Sequence, residues 1–157
     1  SLENNQEIGI FLMVYSNINN DLYMTKNFAI AWSADDGITI PKNSYSYIYF
    51  SDNTNSSHIT INNTSGVIQL KDAGVYFIIV RILIYKLNSG EYIDFLWNHD
   101  LDTVYRIEGS GGDYTAMAIP YHIYLDSPLN TLAVLFNRNS RDLKYAMCSI
   151  FIWKLPY

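Results

Sequence analysis

Residues 59–86 read ITINNTSGVIQLKDAGVYFIIVRILIYK, and this stretch decides the fold. It predicts two short strands, Ile59–Ile61 and Val67–Leu70, then a tight turn and one long strand, Val75–Lys86. The long strand is apolar at both alternating sets of positions except at Arg81, whereas a strand with one wet face alternates apolar and polar side chains. It has about half of the roughly 20 apolar residues that a membrane-spanning helix needs. We therefore expect a central strand of a sheet that is packed on both faces.

The composition is that of a single domain without disulfides. The chain has 157 residues, enough to bury a substantial core, and Cys148 is its single cysteine. The net charge is −5, charged residues make up only 16% of the chain, and no basic cluster is visible. Nucleic acid and anionic membrane surfaces are therefore not expected partners. No segment resembles a spanning helix, so membrane insertion is not expected.

Aromatic and turn-forming residues alternate along the whole chain. Aromatic residues make up 15% of it, with 14 tyrosines, and Asn, Ser, Asp and Gly collect between the apolar runs. Aromatic and β-branched residues favour strands, and the small polar residues favour the turns between them. With no helical period anywhere, the sequence predicts an all-β antiparallel β-sandwich or jelly roll of about ten strands. We expect a flexible segment at residues 1–7 and a single domain at residues 8–157.

The other predicted strands follow the apolar runs in chain order. Pro120 indicates that its strand lies at a sheet edge or carries a bulge, because proline lacks the amide donor that a ladder needs. The polar segment Ser51–His58 is predicted as a loop, and Asp100–Asp102 as a bend. The remaining predicted strands are Ile8–Tyr15, Leu22–Thr25, Phe28–Trp32, Ile38–Ile40, Tyr45–Phe50, Glu91–Asn98, Thr103–Ile107, Tyr114–Leu125, Thr131–Asn137 and Leu143–Leu155.

The turn before the long strand has its own physical requirement. A tight turn between two strands needs a residue with positive φ, and Gly74 supplies it without a Cβ clash. Tyr76 then follows as a large side chain that can fill the core while its hydroxyl reaches a loop carbonyl.

The motif around Gly74 and the strands that follow it resemble a known superfamily. The motif consists of Ile68, Leu70, Gly74, Tyr76 and Ile78, and it is followed in order by YIDFLW at 92–97, a small-residue strand at 116–125, TLAVL at 131–135 and SIFI at 149–152. This order resembles the TNF/C1q-like jelly-roll superfamily. Its spacing looks most similar to the C-terminal domains of collagen-like glycoproteins on bacterial spore surfaces, and related modules tip some phage fibres. The resemblance implies a non-enzymatic homotrimer at a spore, cell or virion surface, with a structural or adhesive role.

An excess of apolar strand positions independently favours association. Several strands carry apolar or aromatic residues at both parities, although the outer faces of an isolated sandwich are wet. Burying one such side chain contributes about 1.5–3 kcal/mol, so a few per subunit suffice for a permanent interface. The interface candidates are Tyr121, Tyr124, Phe151 and Trp153. The alternative is that these residues belong to the core of a large sandwich.

Two polar loops are candidates for ligand recognition. The segments Ser51–His58 and Glu108–Tyr114 are rich in Asn, Ser and Tyr, the composition of adaptable recognition loops. A glycan or a protein receptor is therefore a possible partner, as for the tip domain of a viral or phage fibre. The candidate residues are Asn53, Asn55, His58, Asp113 and Tyr114.

No constellation in the sequence predicts an active site. Cys148 lies in an apolar strand and is expected to be an inert buried thiol. Asp94 and Glu91 lie on one strand at opposite parity, a weak arrangement for paired acid–base catalysis. No H-x-H motif for a cupin-type metal site is present. We expect no catalytic residue and no cofactor. The family resemblance leaves room for apical calcium, to which Asp100, Asp102 and Asp113 could contribute.

Overall fold

The computed structural model describes residues 28–33 and 38–155, and every regular element within them is a β-strand. The predicted all-β class is thereby confirmed. The strands are β1 (Phe28–Ser33), β2 (Ile38–Ile40), β3 (Ser44–Tyr47), β4 (Asp52–Thr54), β5 (Ile59–Ile61), β6 (Ile68–Leu70), β7 (Gly74–Tyr85), β8 (Tyr92–Trp97), β9 (Asp100–Glu108), β10 (Tyr114–Leu125), β11 (Leu129–Thr131), β12 (Ala133–Asn137) and β13 (Leu143–Lys154). The predicted strands Ile8–Tyr15 and Leu22–Thr25 and the flexible segment 1–7 lie outside the described residues.

One layer of the fold is a large antiparallel sheet with the order β10-β7-β13-β1-β4, in which β2 also pairs with β13. Strand β7 is interior, as predicted, and pairs along its full length with β10 and along most of it with β13. In this register Arg81 lies opposite Ala118 on one side and Ser149 on the other. Among the described strands, β10 pairs only with β7, so Pro120 occupies the edge strand that its missing amide predicts.

The second layer consists of two smaller antiparallel sheets, one with the order β3-β12-β8-β9 and one with the order β11-β6-β5. Strands β11 and β12 follow each other with only Leu132 between them, so they join the two small sheets. One hydrophobic cluster fills the space between the layers and includes Ile78 and Val80 from the large sheet and Trp97, Ile59 and Ile68 from the small ones. The described residues therefore form a two-layer β-sandwich.

The two faces of β7 differ in burial. The side chains that point between the layers, such as Tyr76 and Ile82, are buried, whereas the alternate set is half-buried and Arg81 is exposed. We predicted packing on both faces. Within the described residues, the second layer covers only one face of the large sheet, which leaves the alternate set partly accessible.

The turn before β7 has the geometry that its glycine permits. Gly74 has a φ of 142°, a value that L side chains rarely adopt. Tyr76 is fully buried, and its hydroxyl donates a hydrogen bond of 2.9 Å to the carbonyl oxygen of Asp72. Burial raises the pKa of the Tyr76 hydroxyl above its usual value. The tyrosine thus fastens the turn to the core.

Three segments differ from their predictions. The predicted strand Tyr45–Phe50 ends at Tyr47, and the predicted loop Ser51–His58 contains β4, which pairs with β1. The predicted bend Asp100–Asp102 is the beginning of β9, where the register against β8 shifts between Leu96 and Trp97. For β4 and the beginning of β9, pairing with a neighbouring strand holds polar residues in a strand that their own propensities do not favour.

Candidate functional site

The side of the large sheet that points away from the core is the main candidate site, and we call it the outward face. Its side chains come from four neighbouring strands and share one parity in the sheet register. They are Phe28, Ile30 and Trp32 of β1; Val75, Phe77, Ile79, Arg81, Leu83 and Tyr85 of β7; Tyr114, Ala116, Ala118, Pro120, His122 and Tyr124 of β10; and Lys144, Met147, Ser149, Phe151 and Trp153 of β13.

The outward face is predominantly apolar and partly exposed. Tyr124 is 70% exposed, Tyr114 53% and Met147 38%. Small side chains on β10 leave a shallow depression of about 220 Å³ between Ala116, Ala118, Met147 and Arg81. Exposed apolar patches of this kind mark interaction sites in soluble proteins. The face is therefore suited to binding another protein surface.

The four predicted interface residues divide between the two sides of the sheet. Tyr124, Phe151 and Trp153 have outward positions, although Trp153 is only 8% exposed. Tyr121 instead lies opposite Ile78 and packs against the core, so its assignment to the interface is corrected. The parity of the strand places Pro120 outward and Tyr121 inward.

Tyr121 belongs to a small polar cluster between the layers. Its hydroxyl lies 3.1 Å from Nε2 of His99, whose Nδ1 lies 2.7 Å from the hydroxyl oxygen of Thr131. Burial lowers the pKa of His99 below its usual value and raises the pKa of Tyr121. Both groups are thus neutral near pH 7, and the cluster joins β10 to the start of β9 as a structural element.

The predicted ligand residues of the first loop make hydrogen bonds within the protein. Nδ2 of Asn53 donates to the carbonyl oxygen of Ile61 at 2.7 Å and also contacts the side chain of Asn63. Oδ1 of Asn55 accepts a hydrogen bond of 2.8 Å from the amide of Ile61. These two asparagines hold the segment around β4 against β5.

The remaining predicted ligand residues lie at opposite ends of the molecule. His58 contacts the carboxylate of Asp72 near the start of β7, whereas the carbonyl oxygen of Asp113 accepts a 2.9 Å hydrogen bond from the amide of Lys86 just past its end. Tyr114, next to Asp113, stacks on Tyr85 with ring centroids 5.2 Å apart. The two ends of this strand are roughly 40 Å apart at the usual rise. The two predicted loops therefore do not form one binding site.

The carboxylates considered for calcium are also separated. Asp100 and Asp102 begin β9, and Asp113 follows its far end. Among residues 28–33 and 38–155, no group of three potential metal-ligating side chains occurs. The three aspartates therefore do not form the shared site that apical calcium would require.

Comparison with known proteins decides the fold. No protein-family profile and no curated protein matches the sequence. The globular domain of zebrafish complement 1qA protein has a TM-score of 0.58 and 10% identity, covering 84% of this chain and 98% of that one. The Eiger TNF from S. frugiperda has a TM-score of 0.52 and 18% identity, covering 83% and 94%. The fold is a TNF/C1q-like jelly roll. The PRD1 vertex protein P5 shares it, with a TM-score of 0.52 and 14% identity over 84% and 99% of the two chains.

A second exposed patch of the jelly roll was not anticipated from the sequence, and we call it the tyrosine patch. It lies on the outer side of the small sheet that contains β3 and surrounds a depression of about 170 Å³. Tyr45 is 61% exposed, Tyr47 45% and Leu101 63%. The depression is lined by Tyr45, Tyr47, Leu96, Asn98, Leu101 and Val134. The alternation of tyrosine and serine in YSY at 45–47 is the signal that could have identified it.

A buried carboxylate stabilises the jelly roll beside this patch. Asp94 is 1% exposed, and its two oxygens accept hydrogen bonds from Nε of Arg106 at 3.2 Å and from Nε of Arg138 at 3.0 Å. The guanidinium of Arg106 lies 3.7 Å from the ring centre of Tyr92, and that of Arg138 lies 4.5 Å from that of Phe136. The cluster is a structural ion network with stacked arginines.

Glu91 and Cys148 are the other ionisable residues that were candidates for catalysis, and both have structural roles. Glu91 is paired with Arg141 at 2.6 Å, and that hydrogen bond lowers the pKa of the Glu91 carboxyl. Cys148 is fully buried, and desolvation raises the pKa of its thiol, which disfavours the reactive thiolate. Within the described residues, no helix is long and apolar enough to cross a membrane.

Proposed function

We propose that this chain is a non-enzymatic, homotrimerising surface domain and that the outward face of the large sheet is its self-association surface. The observation that carries the proposal is the partly exposed apolar surface formed by four adjacent strands on the side of the sheet away from the core. The jelly roll itself supports a role in recognition or assembly rather than catalysis, because its scaffold is what it shares with complement, TNF and vertex-protein domains.

The size of the outward face matches that of a stable interface. Three of its strands, β7, β10 and β13, are 12 residues long. At about 3.3 Å per residue and about 4.8 Å between strands, the three long strands give a face of roughly 40 Å by 14 Å, and the six-residue β1 adds roughly 20 Å by 5 Å. This area of roughly 670 Å² is of the order of the 800 Å² that one partner contributes to a standard interface.

The chemistry of the outward face also supports permanent association. Phe77, Ile79 and Phe151 are half-buried and belong to no part of the central hydrophobic cluster. Their position outside the hydrophobic cluster of the described residues supports this proposal over the alternative that they belong to the core of one sandwich. Each would contribute about 1.5–3 kcal/mol if another subunit removed it from water.

A cyclic arrangement fits the edge of the large sheet. Strand β10 has no second neighbour in the described sheet and presents the small residues Ala116 and Ala118 beside Pro120. Small residues allow close approach, and proline discourages the addition of a further strand. We propose that the edge formed by β9 and β10 of one copy packs on the outward face of the next, a head-to-tail contact that closes after three copies.

The location we propose is extracellular or surface-exposed, on a spore, a cell or a virion. The names of the structural neighbours, a complement domain and a viral vertex protein, support such a location. We further propose that the domain is the C-terminal head of a collagen-like or fibrous surface protein, as in the spore-surface glycoproteins whose strand spacing it resembles. Its role there would be structural or adhesive.

Charge substitutions on the outward face test the proposed trimer. Met147→Glu and Tyr124→Glu each place a carboxylate on an exposed position of this face, so the monomer should still fold. Tyr45→Glu is the matched control on β3, at the edge of the other layer that is farthest from β9, where Tyr45 is 61% exposed. In sedimentation velocity we expect a trimer for the unmodified chain and the control, and monomers for the other two variants. A control that dissociates as readily as the outward-face variants would refute the location of the interface.

A second candidate function is recognition of a saccharide at the tyrosine patch. Exposed tyrosine rings next to the amide of Asn98 provide a stacking surface and a hydrogen-bonding group beside a shallow depression. A glycan array with the intact protein tests this function, with Tyr47→Ala as the variant that should lose binding. Loss of binding in Tyr114→Ala instead would place the site at the loop after β9, and the absence of any glycan signal would exclude the function.

A further inference from the structure

An arginine lies within reach of the tyrosine patch on the outer side of the same sheet. Val134 lines the depression of the patch, and Phe136 is the next side chain of the same parity on β12, about 7 Å further along. The Phe136 ring stacks on Tyr45 with ring centres 4.2 Å apart, and the guanidinium of Arg138 lies 4.5 Å from the same ring centre. The Tyr45 ring and this guanidinium are therefore at most about 9 Å apart.

A second arginine borders the patch along the neighbouring strand. Leu96 also lines the depression, and Asp94 is the next side chain of the same parity on β8. One oxygen of Asp94 binds Nε of Arg106 and the other binds Nε of Arg138. The buried carboxylate thus holds two guanidinium groups side by side next to the exposed tyrosines.

Both arginines keep hydrogen-bond donors for a further acceptor. A guanidinium has four N–H groups on its two Nη nitrogens in addition to the one on Nε. Arg106 and Arg138 bind Asp94 through Nε, and within the described ranges of the chain their Nη groups make no hydrogen bond to the protein. Both side chains are half-exposed. Their Nη groups can therefore bind an anion that arrives from solvent.

The charges around the two arginines make Arg138 the better anion ligand. Asp94 carries one negative charge and so offsets only one of the two positive charges. The hydrogen bond with Asp94 raises the pKa of Arg106 above its usual value, and the charge of Glu108 adds to this shift. Glu108 is exposed and lies opposite Tyr92 in the β8–β9 ladder. It therefore offsets the charge at Arg106 more than the charge at Arg138.

The combination of exposed tyrosine rings and guanidinium donors defines a class of ligand. The apolar side of a sugar ring packs on aromatic rings, and the planar fork of a guanidinium matches a carboxylate. We propose that the tyrosine patch binds an acidic saccharide, whose ring packs on Tyr45 and Tyr47 and whose carboxylate is bound by Arg138, with Arg106 as a second donor. The inference rests on the saccharide function proposed above and names the chemical class of its ligand.

A glycan array followed by calorimetric titration of the intact protein tests this ligand class. The array carries sialylated and uronic acid glycans beside neutral counterparts in which the carboxylate is reduced to an alcohol. The chain has a net charge of −5, which disfavours unspecific attraction of acidic glycans, so we expect selective binding of the acidic forms to report the local donors.

Substitution of Arg138 separates the carboxylate contact from the rest of the patch. We expect Arg138→Met to weaken binding of the best acidic glycan by at least about tenfold and binding of its neutral counterpart by less than about twofold, because only the acidic form makes the charged hydrogen bond. Glu108→Gln removes a nearby negative charge and should strengthen binding of the acidic form. Arg81→Met is the matched control, since it removes an exposed arginine from the other layer. Circular dichroism checks that each variant is folded.

The outcomes distinguish the ligand class from the saccharide function itself. Selective binding of acidic glycans that Arg138→Met weakens and Arg81→Met preserves supports the inference. Equal affinity for acidic and neutral forms, or an equal loss in Arg81→Met, overturns the carboxylate contact and leaves the saccharide site standing. The absence of binding to every glycan overturns both.

Discussion

At the scale of single residues, Asp94 depends on two arginines that are themselves half-exposed. Arg106 and Arg138 are 50% and 52% exposed, whereas the carboxylate between them is 1% exposed. Either arginine alone can still neutralise Asp94, because each binds a different carboxylate oxygen. We expect Arg106→Met or Arg138→Met to lower the free energy of unfolding by less than about 1 kcal/mol.

The double variant Arg106→Met/Arg138→Met should lower the free energy of unfolding by more than the sum of the two single-variant losses. It leaves a buried carboxylate without a counter-ion, and we expect a loss of about 3 kcal/mol. Urea denaturation of the four proteins at one fixed chain concentration measures this coupling. Strictly additive losses would show that Asp94 does not depend on the arginines.

The cluster around His99 makes stability depend on pH. Burial lowers the pKa of His99 below 6.5 in the folded protein, so the unfolded chain binds the proton more readily. By linkage, the contribution of His99 is fully present above pH 6.5 and is lost as the pH falls from there towards the lowered pKa. We expect the urea midpoint to fall between pH 7.5 and pH 5.5, and His99→Gln to reduce this fall. An unchanged pH dependence in His99→Gln would show that His99 is not its source.

The structural role of a single residue could be predicted from the sequence where one physical requirement determined it. The turn before the long strand needed a glycine with positive φ, and the adjacent Tyr76 had one polar atom to satisfy in a buried position. Tyr121 was misassigned because its strand is apolar at both parities. Periodicity then cannot tell which side faces the core, and only the register against β7 does.

At the scale of elements, the turn between β5 and β6 depends on a close backbone approach. The amide of Gly66 donates a 2.9 Å hydrogen bond to the carbonyl of Asn62, and its φ is 76°. A Cβ at this position would lie 2.5 Å from the carbonyl oxygen of Ile48. Both the backbone conformation and the clash oppose any larger residue.

Gly90 provides the matched control for that turn. Its φ of 90° is also positive, but a Cβ there would meet nothing within 4 Å. We expect Gly90→Ala to cost about 1 kcal/mol and Gly66→Ala about 3 kcal/mol in the free energy of unfolding. Thermal and urea unfolding of both variants compare the two costs. Equal losses would show that the contact with Ile48 adds nothing to the conformational strain.

The long elements were predictable and the short polar ones were not. Strands β7, β10 and β13 follow from long, predominantly apolar runs rich in β-branched and aromatic residues. The three residues Asp52–Thr54 form β4 by pairing with β1, although their own propensities do not favour a strand. Such pairing depends on contacts between distant segments, which local sequence does not specify.

At the scale of the whole molecule, the arrangement of surfaces was the least predictable feature. The segments Ser51–His58 and Glu108–Tyr114 look alike in composition, yet the fold places their predicted ligand residues at opposite ends of β7. The tyrosine patch is formed by side chains from three segments that are distant in sequence: β3, the hairpin of β8 and β9, and β12. The two-sided apolar strands, in contrast, did indicate that apolar side chains lie on both faces of the large sheet.

The central claim is that this apolar face holds three copies of the chain together. Native mass spectrometry of the unmodified protein over a range of concentrations tests the claim most directly, because it counts subunits. The proposed trimer predicts a dominant species with three times the chain mass of 18.1 kDa at micromolar concentration. A single species of 18.1 kDa throughout that range would contradict it.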